Sequence, residues 1–156
     1  MDKTIRNSDR VVCVSSLSNP GPTVVTVKDG TYTSYRFIAP VANTANGYIR
    51  QEIFSLPSSP PAGSDPNLYI RDFETTVCSN PSINPQVLTD TNTQTGVSVD
   101  CIDLNCNTKL IFKRDPSSGF KDQVTIKFLA KPGEGASQVI AGQIDPVTFQ
   151  TTIQLR

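Results

Sequence analysis

GFKDQVTIKFLA, residues 119–130, alternates apolar and polar side chains: Phe120, Val124, Ile126 and Phe128 share one parity, and Lys121, Gln123, Thr125 and Lys127 take the other. PVTFQTTIQLR, residues 146–156, repeats the pattern. Val147, Phe149, Ile153 and Leu155 occupy one face, and Thr148, Gln150, Thr152, Gln154 and Arg156 the opposite one. Successive side chains of a strand point to opposite sides, so period two predicts antiparallel strands with one buried face.

Working outward, turn chemistry punctuates similar runs at short intervals. TVVTVKDGTYTSYRF (23–37) reads as two β-branched strands joined by Asp29-Gly30, a type I′ hairpin signal because both turn positions need residues that tolerate positive φ. Asp115-Pro-Ser-Ser-Gly119 and Lys131-Pro-Gly-Glu-Gly135 separate later strands, and Asp145-Pro146 opens the last one. No window shows a sustained helical period, and twelve prolines are spread along the chain. The expected strands are 10–17, 22–28, 31–39, 47–56, 67–78, 96–103, 107–114, 119–130, 136–144 and 146–156. The fold class expected is all-β: an antiparallel β-sandwich of roughly eight to ten strands, jelly-roll-like. Residues 1–18 read as an N-terminal arm or edge strand and 19–156 as a single sandwich domain. Two loops interrupt the pattern, at 55–67 and 79–96, and loops of this length tend to carry function.

A chain of 156 residues suits one domain and buries enough surface, roughly 68–70% of what its unfolded state exposes, to fold without staples. Fourteen basic residues balance fourteen acidic ones, so no net field draws it to nucleic acid or an anionic membrane. No apolar run approaches the roughly 18 residues a spanning helix needs. MDKTIRNSDR is charged and lacks a hydrophobic core, which argues against a signal peptide and for synthesis in the cytosol. The chain contains no histidine, so imidazole bases, Ser-His or Cys-His nucleophiles and His-ligated zinc are excluded. It also lacks tryptophan, the best platform for stacking sugars or cations, which counts against a lectin.

The remaining chemical candidates are sparse. Cys101 and Cys106 form C-x₄-C, but Cys13 and Cys78 stand far apart, so no matched zinc pair exists, and a C-x-x-C redox motif is absent. Cys13, Cys78 and Cys101 fall on expected strands, where reduced cysteine behaves as a small buried hydrophobe. The other reading is one or more disulfides, with Cys106 in its turn the best candidate for a crosslink. Asp100 and Asp103 near Cys101, and Asp72 with Glu74 on one face of the expected 67–78 strand, are the paired carboxylates that could split their pKa values for acid–base work. Same-face acids are common on surface strands, and nothing else marks a cleft. The run from Asp90 to Gly96 alternates oxygen-bearing side chains but fails the calcium-loop pattern, with Thr95 and Cys101 where Gly and Glu are required. Lys131 to Ser137 has neither phosphate-loop spacing and is a turn. No catalytic residue, cofactor or metal is assigned.

Surface and assembly remain. Only 18% of residues are charged, and the polar faces of the strands favour Thr, Gln and Ser, which suits surfaces that end against other protein. Val11, Val12, Val14 and Leu17 precede the Asn19-Pro20-Gly21-Pro22 break and could add a strand to a neighbour's sheet, or equally close their own. The expected function is therefore that of a self-assembling structural subunit and not an enzyme: a virion protein of capsid, minor capsid or phage tail or decoration type. Its partners would be copies of itself and other structural proteins of the assembly, with no direct nucleic acid and no membrane. Such a protein is made in the host cytoplasm and ends in the virion. The alternatives are a bacterial or spore surface fibre crosslinked by cysteines, or a lectin- or adhesin-like ligand-binding module.

Overall fold

The computed structural model describes residues 1–14, 23–56, 59–79, 85–89, 91–102, 111–115, 121–137 and 142–156. The first sheet runs in order β1 (Arg10–Val14), β2 (Thr23–Lys28), β3 (Thr31–Ile38), β4 (Tyr48–Ser55) and β5 (Gln86–Val87), every pair antiparallel. The turn between β2 and β3 is the one the sequence predicts. Lys28 faces Thr31, with Asp29 at φ 47° and Gly30 at φ 73°. The second sheet is built on β8 (Gln123–Pro132). β9 (Val147–Gln154) lies along one edge of β8, while β7 (Phe112–Asp115) and β6 (Val97–Asp100) lie end to end along the other.

Two helices are named among the described residues: α1 (Asp2–Arg6) and α2 (Pro66–Ser79). The expected all-β, jelly-roll-like sandwich is thereby overturned, because the molecule is a mixed α/β fold with two unclosed sheets. The decisive difference is 67–78, expected as a strand. Asp65 Oδ1 accepts the Asn67 amide at 2.8 Å, the Asp65 carbonyl accepts the Tyr69 amide at 3.0 Å, and Pro66 stands at the first helical position. Tyr69, Phe73 and Val77 then recur every four residues, and Val77 is buried.

That helix has a job the sandwich reading left unfilled. In β2, Thr23, Val24, Val25, Thr26 and Val27 are all buried, so the first sheet is covered on both faces at this strand. On one face Val25, Val27, Tyr32 and Phe54 pack with Val77 of α2, with Phe73 at the margin. On the other, Val24, Tyr35, Phe37 and Ile49 meet Val99, Phe112, Val124, Ile126 and Ile153 of the second sheet, and Ile5 of α1 joins the same core. The order is helix, sheet, sheet.

Two constraints lock these layers. Gly47 donates its amide to Ser98 Oγ at 3.0 Å, and its carbonyl accepts the Val99 amide at 2.8 Å. A Cβ at Gly47 would sit 1.9 Å from the Val99 carbonyl oxygen and 2.8 Å from Cδ of Pro40, so only glycine permits this approach. On the other side, a disulfide joins Cys13 of β1 to Cys78 of α2 across 65 residues. Gly47→Ala should lower stability by about 3 kcal/mol through overpacking, read as a fall in the urea midpoint at unchanged slope. Replacing Cys13 and Cys78 together by serine should cost about 2–4 kcal/mol in the same measurement, since the bridge restrains a long loop of the unfolded chain.

Candidate functional site

The candidates singled out from the sequence are dispersed by the fold. Asp72 and Glu74 do not share a strand face: two positions apart on α2 they point to different sides. Glu74 pairs with Arg10 of β1 and accepts the Tyr32 hydroxyl at 2.9 Å, while Asp72 is exposed. Asp100 is paired with Lys131 at 2.8 Å, and Lys131 also reaches Glu134 at 2.9 Å. Burial opposes the charge on Lys131, but these two carboxylates outweigh it and raise its pKa above the usual lysine range. The neighbouring Asn46 is buried; its amide nitrogen donates to the Asn92 carbonyl and its Oδ1 accepts the Glu134 amide. Loop 91–96 is an Asx turn, with Asn92 Oδ1 accepting the Gln94 and Thr95 amides. These groups are a structural clamp between loops. No cluster of three or more metal-ligating side chains occurs among the described residues.

Cys13 and Cys78 are bonded to each other, and Cys101 is disulfide-bonded within the core. Cys106, Asp90, Asp103 and Leu17 lie outside the described residues. Val11 is buried, while Val12 and Val14 are half-buried, and the strand they form pairs with β2 of its own sheet. A second buried ionic group sits on the helix side of the first sheet. Glu52 is buried and lies 3.4 Å from Arg50 Nη2, and Arg36 faces Arg50 in register. Burial, then the Arg50 charge, lowers the Arg36 pKa, with Glu52 opposing. The Glu52 carboxylate offsets part of the positive charge that Arg36 and Arg50 bring to this face of the sheet.

What the sequence did not reveal is how unevenly the sheet edges are protected. β1 is bulged between Val11 and Cys13 and tied by its disulfide, and β5 has only two residues. The Val99 amide of β6 is taken by Gly47. β7 carries Lys113, Arg114 and Asp115, with ion pairs from Lys113 to Asp115 at 2.7 Å and from Arg114 to Asp122 at 2.9 Å. Bulges, short strands and charges are the devices that stop edges pairing with other chains. β9 has none of them: eight residues, VTFQTTIQ, with no charge, proline or bulge. The Leu155 amide donates to the carbonyl of Asp122, just before β8, so odd-numbered positions turn their main chain inward and Thr148, Gln150, Thr152 and Gln154 turn theirs outward. Among the described residues no strand pairs with that outer edge.

The face of β9 adds to this. Ile153 and Leu155 are buried, yet Val147 and Phe149 on the same face are 65% and 44% exposed. Phe149 stacks on Phe128 with ring centroids 4.8 Å apart. Val97 and Ile144 are also exposed, and a cleft of about 440 Å³ runs among Val97, Ala130, Pro132, Ala136, Ile144 and Val147. The inner face of the second sheet therefore extends beyond what the first sheet covers. Comparison with family models, curated proteins and solved structures finds no match to this chain.

The Tyr32 hydroxyl beneath α2 provides a titration handle. Burial, reinforced by Glu74, pushes its pKa up to about 12. A group raised in the folded state contributes stability that is complete below the unfolded value near 10 and is lost as pH rises through about 12. Alkaline titration of phenolate absorbance should show a component near 12 that Tyr32→Phe removes; a titration unchanged by that substitution would contradict the placement of Tyr32 against Glu74.

Proposed function

We propose that this chain is a self-assembling structural subunit, specifically a virion protein of capsid, minor capsid or phage tail or decoration type. It acts through surfaces offered to copies of itself and to other structural proteins of the particle. One observation carries the reading: an eight-residue uncharged edge strand lies beside an uncovered apolar face. An exposed edge of that kind is a template for another strand, and contiguous exposed apolar surface marks protein contact. The low charge of the chain agrees, because no repulsion between copies has to be overcome.

The disulfides also suit a protein that ends in a particle outside the reducing cytosol. They weigh against a surface fibre locked by cysteines, since Cys13, Cys78 and Cys101 are each already bonded. In this reading the polar clusters around Asn46, Lys131 and Glu52 stabilise the subunit, and bond-making chemistry is not part of its role.

Light scattering on the purified chain, over a concentration series and at several salt concentrations, should give masses above that of one chain. Val147→Asp, at an exposed position, should change folding stability by no more than about 0.5 kcal/mol and still weaken association at least tenfold. A clean monomer at every concentration would refute the proposal.

A further inference from the structure

The open edge of β9 is bounded at both ends. At one end Pro146 has no amide hydrogen to offer. At the other, the outward Arg156 amide is already satisfied by the Arg6 carbonyl of α1 at 2.9 Å. Between those stops the outward main-chain groups with no strand partner among the described residues belong to Thr148, Gln150, Thr152 and Gln154, and this set is symmetric about Thr151. A two-fold axis at Thr151 places Thr148 opposite Gln154 of a second copy and Gln150 opposite Thr152. It also brings Pro146, which needs no amide partner, opposite Arg156, where the edge is closed.

We propose that β9 pairs antiparallel with β9 of a second copy of this chain about a two-fold axis at Thr151, joining the two second sheets into one. The inference rests on the assembly reading above and names its partner and register. All four outward residues of each copy become hydrogen-bonded pairs, giving about eight main-chain bonds, and a shift of the axis to Gln150 or Thr152 leaves some of them unpaired. The side chains agree with the same register. On the polar face Thr148 meets Gln154 and Gln150 meets Thr152, all uncharged and exposed in the single chain. On the apolar face the register sets Thr151 against Thr151, a pair that favours strand association, and brings the exposed Phe149 to the rim of the core that already buries Ile153 of the other copy. Val147 comes opposite Leu155 of the other copy. A two-fold contact sets each surface against itself, so a charged strand would oppose its own charges, and β9 has none.

The test is a cysteine crosslink mapped by position. Thr151 lies opposite itself in a non-hydrogen-bonded pair, where Cα atoms approach to about 4.5 Å, within the range a disulfide spans. Cys13, Cys78 and Cys101 are all bonded and do not compete. Under mild oxidation Thr151→Cys should convert most of the chain to a covalent dimer. Thr148→Cys and Gln154→Cys should crosslink when mixed and stay single when oxidised separately. In a parallel arm, Gln150→Lys with Thr152→Lys places lysines opposite one another and should reduce association at least tenfold. Gln150→Lys with Thr152→Glu should restore it, while circular dichroism shows both variants folded. Light scattering that shows oligomers while Thr151→Cys stays uncrosslinked and the lysine pair associates normally would overturn the β9 pairing and leave the assembly reading standing. A monomer at every concentration would overturn both.

Discussion

The contact between the inner faces of the two sheets organises the rest of the molecule. Tyr35, Phe37 and Ile49 press against Phe112, Val124, Ile126 and Ile153, and Gly47 draws the start of β4 onto β6 by two hydrogen bonds that no larger residue would allow. Because that contact uses one face of the first sheet, its other face, with Val25, Val27 and Phe54, needs a separate cover, and α2 supplies it. The same contact fixes what stays open. The first sheet reaches the Ile153 end of β9 and leaves the Val147 end bare, so apolar exposure results from two sheets of unequal reach.

The patterns legible in the sequence were those set by neighbours in the chain. Val124 and Ile126, and likewise Ile153 and Leu155, are buried on the faces their alternation predicts, and Asp29-Gly30 makes the turn its chemistry demands. The helix at 66–79 was missed because Thr75, Thr76, Val77 and Cys78 look like strand residues locally, while the helical signal is spread over Asp65, Pro66, Tyr69, Phe73 and Val77. A second clue was present in TVVTV. A strand with no polar face is covered on both sides, and a third layer follows from that. The Cys13–Cys78 bridge could not be read, since its geometry exists only once α2 lies across β1. The candidate site was half legible. The uncharged face of β9 is plain in VTFQTTIQ, but which of its edges faces solvent depends on β8 having already placed β6 and β7 on its opposite side.

Stability and contact surface are kept apart. α2 is anchored by the disulfide, by the Glu74 pair with Arg10 and by the Tyr32 hydroxyl, all on the side of the first sheet away from the second. The Asn46, Glu134 and Lys131 network ties loops at the Gly47 end. The core draws on Ile153 of β9 and on Leu155 just after it, and leaves Val147 and Phe149 in the strand's first half exposed. A partner on the outer edge, as proposed, would therefore add contacts without disturbing the core.

Charge explains why this edge stands apart from the others. Most exposed strands defend themselves with lysine or a bulge, and β7 and β1 do so here. An edge without either device is a hazard in a monomer, because any extended segment can dock on it. The hazard is contained by its two stops: Pro146 withholds a donor at one end, and Arg6 of α1 occupies the last amide at the other. Between them the strand offers a short, finite template whose hydrogen-bonding positions are symmetric about one residue. Finite length with a central point of symmetry favours closed pairing over open-ended stacking, since once two copies have paired no part of the edge remains to recruit a third. In the proposed assembly, growth beyond a pair would have to come from other surfaces, and the apolar cleft beside Val97 and Ile144 is the exposed candidate.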